Sequence, residues 1–342
     1  MSPQGRSIIP RILASLYGCI VEFRNLLYDR FPGFSHDAGR LVVSIGGITA
    51  GGTGKTPMAL LVGSYLKRKG REVAFLSRGY RRQSKETVIV EPRSNVVWKD
   101  VGDEPALLHA NMPESWLGIG SDRCATIRKM LPRLSEKAVF VLDDGFQHRR
   151  VRRTRDILCV PANVFDDLLL PAGTLREPLK GMKRANCICI MAGELEEHDL
   201  EETRHKVIEL NNRATIVVLQ QRARGWVRLA TGATSDKLPL LRPLLMCGIA
   251  RPERFTDLVR SLAVRPAKEV TFRDHHAFTA RQIQALCRGQ YDGILTTEKD
   301  AQRLLTLNLV NCPDIWYLKM DLRFSDSASE RDFFSFLNNL IL

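Results

Sequence analysis

Gly51, Gly52 and Gly54 precede Lys55 and Thr56 in the stretch VVSIGGITAGGTGKTP, residues 42–57. Glycines at this density let backbone N–H groups approach an anion closely. The lysine adds a mobile positive charge and the threonine hydroxyl a hard oxygen ligand. These are the parts of a triphosphate-binding loop. Thr49, Ala50, Gly51, Gly52, Thr53, Gly54, Lys55 and Thr56 would wrap a triphosphate, with Lys55 on the β and γ oxygens and Thr56 on Mg²⁺. The strict pattern GxxxxGK[ST] asks for glycine where Thr49 stands, and threonine serves there if the backbone needs no positive φ.

A second group of chemical residues closes an apolar run. KAVFVLDDGFQHRR ends its hydrophobic stretch in Asp143 and Asp144, where a carboxylate for Mg²⁺ belongs. One carboxylate would hold the ion directly and the other through water. Two relatives of such loops are disfavoured. A guanine-specific protein would carry Asn-Lys-x-Asp, which TTEKD (residues 296–300) does not provide, and a switch ATPase of the ParA or MinD type would carry lysine at Ala50.

Such a loop needs a strand before it and a helix after it. LVVSI supplies the strand, and a helical run from Pro57 to Lys69, closed by Gly70, supplies the helix. EVAFL, WLGIG, AVFVLDD, DILCV, CICIM and TIVVLQ follow as short apolar strands. Helices are expected between them near 103–111, 122–134 and 196–212. This alternation predicts a parallel sheet covered on both faces. A second alternation starts at PLLMCGIA (243–250) and runs through EVTF, a helix near 279–288 and GILTT. RGWVRLA (224–230) and IWYLKMDLRF (315–324) read as exposed strands joining the two sets. The predicted fold is α/β: a P-loop NTPase-like parallel-sheet domain over residues 1–223, completed by a C-terminal helix at 325–342, and a smaller α/β domain over 231–314. Residues 224–230 and 315–324 form the two-stranded linker.

The chain has 342 residues, 44% hydrophobic and 26% charged, as in an ordinary folded protein. Its net charge of +13 calls for an anionic partner: nucleic acid, membrane surface or phosphorylated substrate. The eight cysteines are scattered without metal-ligand spacing and read as free thiols. No segment is long and apolar enough to span a bilayer. Residues 8–28 nevertheless place Ile8, Ile9, Ile12, Leu13, Leu16, Ile20, Phe23 and Leu27 on one helical face and Arg11, Ser15, Gly18, Glu22 and Asn25 on the other. That is the pattern of an interfacial helix or of one packed on its own domain.

Eight stretches in order carry a resemblance: GGTGKTP, LSRGYRR, VGDEP, LDDGFQHRR, LPAGTLREP, CGIARPERF, FRDHHAF and TTEKDAQRL. Together they resemble the tetraacyldisaccharide 4'-kinases, the lipid A 4'-kinases of Gram-negative bacteria. Thr49 is part of that family's pattern. The resemblance implies transfer of the γ-phosphate of ATP to the 4'-hydroxyl of an acylated glucosamine disaccharide 1-phosphate, giving lipid IVA. It also implies two α/β domains joined by a two-stranded linker, and an N-terminal helix on the cytoplasmic face of the inner membrane. The protein would be peripheral there, held on an anionic surface. By resemblance, Asp103 pairs with His275 as the catalytic base, with His276 as the alternative.

Gln147 and His148 follow the carboxylates toward the cleft. Arg176 and Glu177 of LREP are candidates for substrate or nucleotide contact, and Arg78 and Arg81 for phosphate. Glu298, Lys299 and Asp300 would reach the nucleotide from the second domain. The basic run RRVRRTR, residues 149–155, reads first as solvated surface and then as a membrane or phosphate contact. Nucleic acid is not expected, because no aromatics interleave the run. The rival reading is a membrane-associated P-loop ATPase switch with no sugar acceptor.

Overall fold

The computed structural model describes residues 8–193, 197–309 and 312–341. The chain opens with α1 (Ile8–Arg30), β1 (Leu41–Gly47), α2 (Lys55–Arg68), β2 (Glu72–Ser77), β3 (Val88–Val90), α3 (Trp98–Val101), α4 (Asp103–Asn111) and β4 (Trp116–Ile119). It continues through α5 (Arg123–Met130), β5 (Ala138–Asp143), β6 (Arg155–Pro161), β7 (Cys187–Met191), α6 (Glu197–Leu210), β8 (Thr215–Arg228) and β9 (Thr234–Ser235). Then come β10 (Pro243–Cys247), α7 (Pro252–Ser261), β11 (Lys268–Thr271), α8 (Ala280–Cys287), β12 (Gly293–Thr297), α9 (Glu298–Leu304), β13 (Asp314–Phe324) and α10 (Ser327–Ile341).

One sheet runs through the molecule in the order β3-β4-β2-β5-β1-β6-β7-β8-β13-β12-β10-β11, with β9 added beside β8. From β4 to β8 neighbours are parallel, and so are those from β13 to β11. The only antiparallel neighbours among the described residues are the edge strand β3 on β4, β9 on β8, and β8 on β13. The central strands are apolar on both faces, as burial beneath helices on both sides requires. On β1, Val43 and Ile45 pack into one core while Val42 packs into another. On β6, Ile157 and Cys159 face one way, Leu158 and Val160 the other.

TIVVLQ and the first five residues of RGWVRLA are one continuous strand, β8, so residue 223 lies inside a strand. No turn residue interrupts it. Gly225, at φ 151°, stands opposite Lys319, where the register with β13 shifts by a bulge. The expected helix near 122–134 stops at Met130 and tightens into a 3₁₀ turn over Leu131–Arg133, where Pro132 supplies no backbone donor. The expected helix near 196–212 starts at a position outside the described residues and is seen from Glu197. Helix α7 and strand β3 went unread in the sequence. The last helix returns to the first core: Phe333, Leu337 and Leu340 join Val43 and Ile45 there, and Phe334 stacks on Tyr65 of α2.

Helix α1 is reversed relative to an ordinary surface helix. A narrow stripe of Ala14, Gly18 and Val21 is buried against the protein, with Tyr17 and Asn25 half-buried beside it. Its apolar stripe faces outward, with Ile12, Leu16, Ile20 and Phe23 each 60–63% exposed. Phe31 and Phe34, just beyond the helix, extend this apolar surface. No helix among the described residues is long and apolar enough to cross a membrane.

Candidate active site

The glycine loop sits at the C-terminal ends of the central parallel strands, between β1 and α2. Gly54 caps α2 at φ 72° and Gly51 lies at φ 103°, conformations that disfavour a side chain. Gly51 and Gly52 are exposed, with open space where a Cβ would stand. The loop's first half is held down from outside. Ala50 N donates to Thr174 O at 2.7 Å, and Arg176 N donates to Ile48 O at 2.7 Å. Thr49 is buried and bridges Leu175, so its side chain packs inward. Lys55 Nζ folds back on Gly51 O at 3.0 Å and lies 3.8 Å from Asp144 Oδ1. Thr56, half-buried, begins the helix beside it.

Strand β5 pairs with β1 in a register that sets Asp143 beside Ile45, so the carboxylates emerge next to the loop. The two aspartates differ. Asp144, at φ 52°, is held by Arg176, whose Nη1 lies 2.9 and 2.7 Å from its two oxygens. Burial opposes its ionisation, but the charges of Lys55 and Arg176 prevail and hold its pKa low. Asp143 is 2% exposed, and neither of its oxygens has a partner among the described residues. Burial, with the negative charges of Glu104 and Asp144, pushes it up to about 8. A buried carboxylate with no partner is costly unless a cation completes it. This donor set, a hard and uncompensated carboxylate beside Asp144 and the Thr56 hydroxyl, fits a magnesium ion.

Across the cleft, α4 begins with Asp103 and Glu104, and the loop after β11 carries His275. Asp103, which is 3% exposed, lies where α4 meets α9 and the loop after β11. His275 Nδ1 lies 2.8 Å from Asp103 Oδ2, Lys299 Nζ 3.5 Å from the same oxygen, and the buried Arg303 guanidinium donates to it as well. Burial works against the charge on Asp103. The His275 hydrogen bond and the Lys299 and Arg303 charges overcome that and hold its carboxyl well below the usual range. An ionised carboxylate only accepts, so His275 Nδ1 must donate, which leaves Nε2 as the basic atom of the ring. Asp274 Oδ2 stands 3.5 Å from Nε2. Tyr80, Arg81, Trp98, Lys99, Asp103 and His275 line a pocket of about 280 Å³.

His276 points elsewhere. Its Nε2 meets Gln282 Oε1 at 3.2 Å, and its ring stacks on Phe272 with centroids 4.7 Å apart. Lys299 also contacts Glu104 at 3.2 Å, so it faces the cleft. Glu298 instead accepts from Asn111 at 3.0 Å. Asp300 is wholly buried, accepting from Gly248 N at 2.9 Å and from Arg303 at 2.7 Å. These last two hold elements together. Gln147 Nε2 bridges Gly47 O at 3.0 Å and Glu177 Oε1 at 2.7 Å, bracing the loop. Burial, with the Arg123 charge, lowers His148 to about 4, so its imidazole is neutral near pH 7. Arg78 is exposed, and Arg81 donates to Asp274 O at 2.9 Å. The basic run pairs with the protein's own carboxylates, Arg149 with Asp29, Arg150 with Asp122, Arg152 with Asp37 and Arg153 with Asp156, and Arg150 and Arg152 stay on the solvated surface as expected.

Three site residues escaped the sequence reading. Arg123 begins α5 at the C-terminal end of β4. It is 5% exposed, its Nε has no partner among the described residues, and it interacts with Asp143 and Asp144. The signal was Asp122, which caps α5 through Cys124 N and Ala125 N and so marks a helix start at a strand's carboxyl end. Arg303 stands three residues after Asp300, on the same helical face. Glu104 was quoted within VGDEP but given no role.

A glycine loop between strand and helix, carboxylates on the adjacent parallel strand, and a histidine–aspartate pair across a cleft define a P-loop phosphotransferase. Residues 7–340 match the tetraacyldisaccharide-1-P 4'-kinase family, and the chain belongs to that family. It is 30% identical to a tetraacyldisaccharide 4'-kinase of Chlorobaculum tepidum, with 96% of this chain and 97% of that protein covered. It is 34% identical to the enzyme of that name from Koribacter versatilis, covering 94% and 96%. The fold matches the crystal structure of LpxK from Aquifex aeolicus in complex with ATP. There the TM-score is 0.77 at 27% identity, covering 96% of this chain and 98% of that one.

Proposed function

We propose that the protein transfers the γ-phosphate of ATP to the 4'-hydroxyl of tetraacyldisaccharide 1-phosphate to form lipid IVA. It would do so as a peripheral enzyme on the cytoplasmic face of the inner membrane. The observation that carries this reading is the shared cleft. Asp103 and His275 stand 2.8 Å apart, and Glu104, the next residue along, is near enough to Asp143 beside the phosphate loop to raise its pKa.

Phosphoryl transfer is mostly positioning and charge neutralisation. Residues Thr49 to Thr56 cradle the triphosphate through backbone N–H groups, and Lys55 leaves Gly51 O to meet it. Thr56, Asp143 and Asp144 would hold Mg²⁺, which when bound would neutralise phosphate oxygens. Asp103, kept ionised by Arg303 and Lys299, is too weak a base to take the acceptor's proton. It orients His275 instead, and Nε2 receives the proton from the sugar hydroxyl. Arg123, buried with an unpartnered Nε beside the carboxylates, is placed to meet phosphate charge. The outward apolar stripe of α1, with Phe31 and Phe34, supports seating on a lipid surface. The rival switch reading lacks the lysine at Ala50. ADP release measured with and without the acylated disaccharide separates the two. Strict dependence on the lipid supports the kinase, and equal hydrolysis without it overturns the kinase reading.

A further inference from the structure

The inward stripe of α1 reaches the phosphate loop through one short strip of chain, residues 174–177. Tyr17 Oη donates to Arg176 O at 2.7 Å, and Asn25 Nδ2 donates to Glu177 Oε2 at 3.2 Å. Between them Gly18 lets the helix approach closely, because a Cβ there would fall 2.8 Å from Leu169 Cδ1. The opposite side of the strip is fastened to the loop. Thr174 O accepts from Ala50 N, Arg176 N donates to Ile48 O, and Gln147 links Glu177 to Gly47 O. The Arg176 guanidinium continues to Asp144. Glu177 is fully buried and clamped by both Arg184 nitrogens at 2.6 and 2.8 Å, which makes the strip a stiff link. The face of α1 that carries Tyr17 and Asn25 is thus bonded to the nucleotide site, while the opposite face is apolar and open.

We propose that Tyr17 and Asn25 are positioning residues that couple seating of α1 on a lipid surface to the phosphate loop, so that lipid tightens nucleotide binding. The proposal rests on the kinase reading and on a lipid-seated α1. An apolar surface that holds the outer face fixes the helix. A fixed helix holds residues 174–177 against Gly47 to Ala50 and keeps Arg176 on Asp144. Coupling between two binding sites is reciprocal, so nucleotide must tighten lipid binding by the same factor.

The test measures binding of a fluorescent, non-hydrolysable ATP analogue to the full-length protein with and without phosphatidylglycerol–phosphatidylethanolamine vesicles. Vesicle binding is then measured with and without the analogue. For the parent protein we expect both affinities to rise by one common factor of about threefold or more, within the usual range of such couplings. Tyr17→Phe and Asn25→Leu remove one donor each with little change of volume, add no charge beside Glu177 and leave the outer face intact. Each variant should bind vesicles as the parent does without nucleotide, while the common factor falls toward one. A parent protein that binds analogue and vesicles independently overturns the coupling but not the kinase reading, as do variants that keep the parent's factor. A parent that binds no analogue overturns both.

Discussion

Replacing Asp143 by asparagine should stabilise the metal-free protein at neutral pH while weakening its response to magnesium. Asp143 is buried, its oxygens are unpartnered, and its pKa rises from 3.8 to about 8. Below pH 4 the group is protonated in folded and unfolded chains alike and contributes no pH dependence. Between pH 4 and 8 the unfolded chain has released the proton and the native one retains it. The native state then binds more protons, and stability falls as pH rises, by about 1.4 kcal/mol per pH unit for one group. Above pH 8 both states are ionised and the full cost is reached. From pH 5.5 to 7.5, two units inside that window, the parent should lose about 3 kcal/mol relative to Asp143→Asn. Urea unfolding of both proteins at the two pH values measures the difference, and titrating groups remote from Asp143 cancel between them. At pH 7.5 in the presence of ATP, adding Mg²⁺ should raise the parent's midpoint further and shift the variant's much less. Parallel pH profiles for the two proteins would refute the reasoning, since Asp143 would then have a partner or access to water.

Lys55→Ala removes the cation of the loop and should lower kcat by roughly 10²-fold or more; turnover within threefold of the parent would show that another group neutralises the phosphates. Asp103→Ala and His275→Ala should each cost about 10²-fold in kcat, with the double variant little worse than the poorer single, because the two act as one unit. His276→Ala, whose ring is engaged by Phe272 and Gln282, should be milder, and the complete kinetic cycle on folded variants decides among these outcomes. Leu16→Glu with Ile20→Glu should weaken vesicle partitioning by at least about tenfold, given roughly 1.5–3 kcal/mol for each apolar side chain buried, and should leave ATP affinity without vesicles unchanged. Unaltered sedimentation with vesicles would move the lipid contact away from α1.

The parts legible in the sequence are those whose physics is local. A strand, three glycines, Lys55 and Thr56 in succession are enough to specify an anion site, and an apolar run ending in two aspartates specifies what stands beside it. The link between Asp103 and His275 spans 172 residues and no periodicity carries it, so it came only from resemblance. Arg303 and Arg123 were missed because an arginine reads as solvated surface until the fold buries it. Here the meeting of α4 and α9 buries one, and the helix start after β4 buries the other. For α1 the amphipathic pattern was plain but its direction was not. Only the packing of Gly18 on Leu169, with Tyr17 and Asn25 bonded to the 174–177 strip, shows which stripe faces inward: Ala14, Gly18 and Val21 are buried, while Arg11 and Ser15 stay exposed. The joining of TIVVLQ and RGWVRLA into one strand was hidden because a linker strand and a core strand share the same β-forming residues. Only the partner on each side, β7 or β13, tells them apart.

The most direct test of the central claim is to incubate the purified full-length protein with ATP, Mg²⁺ and tetraacyldisaccharide 1-phosphate and to analyse the lipid by tandem mass spectrometry. The account predicts a product carrying one additional phosphate on the 4' oxygen of the distal glucosamine, formed in step with ADP and absent with His275→Ala over the same interval. ADP formed without phosphorylated lipid, or phosphate found at another position of the disaccharide, would contradict it.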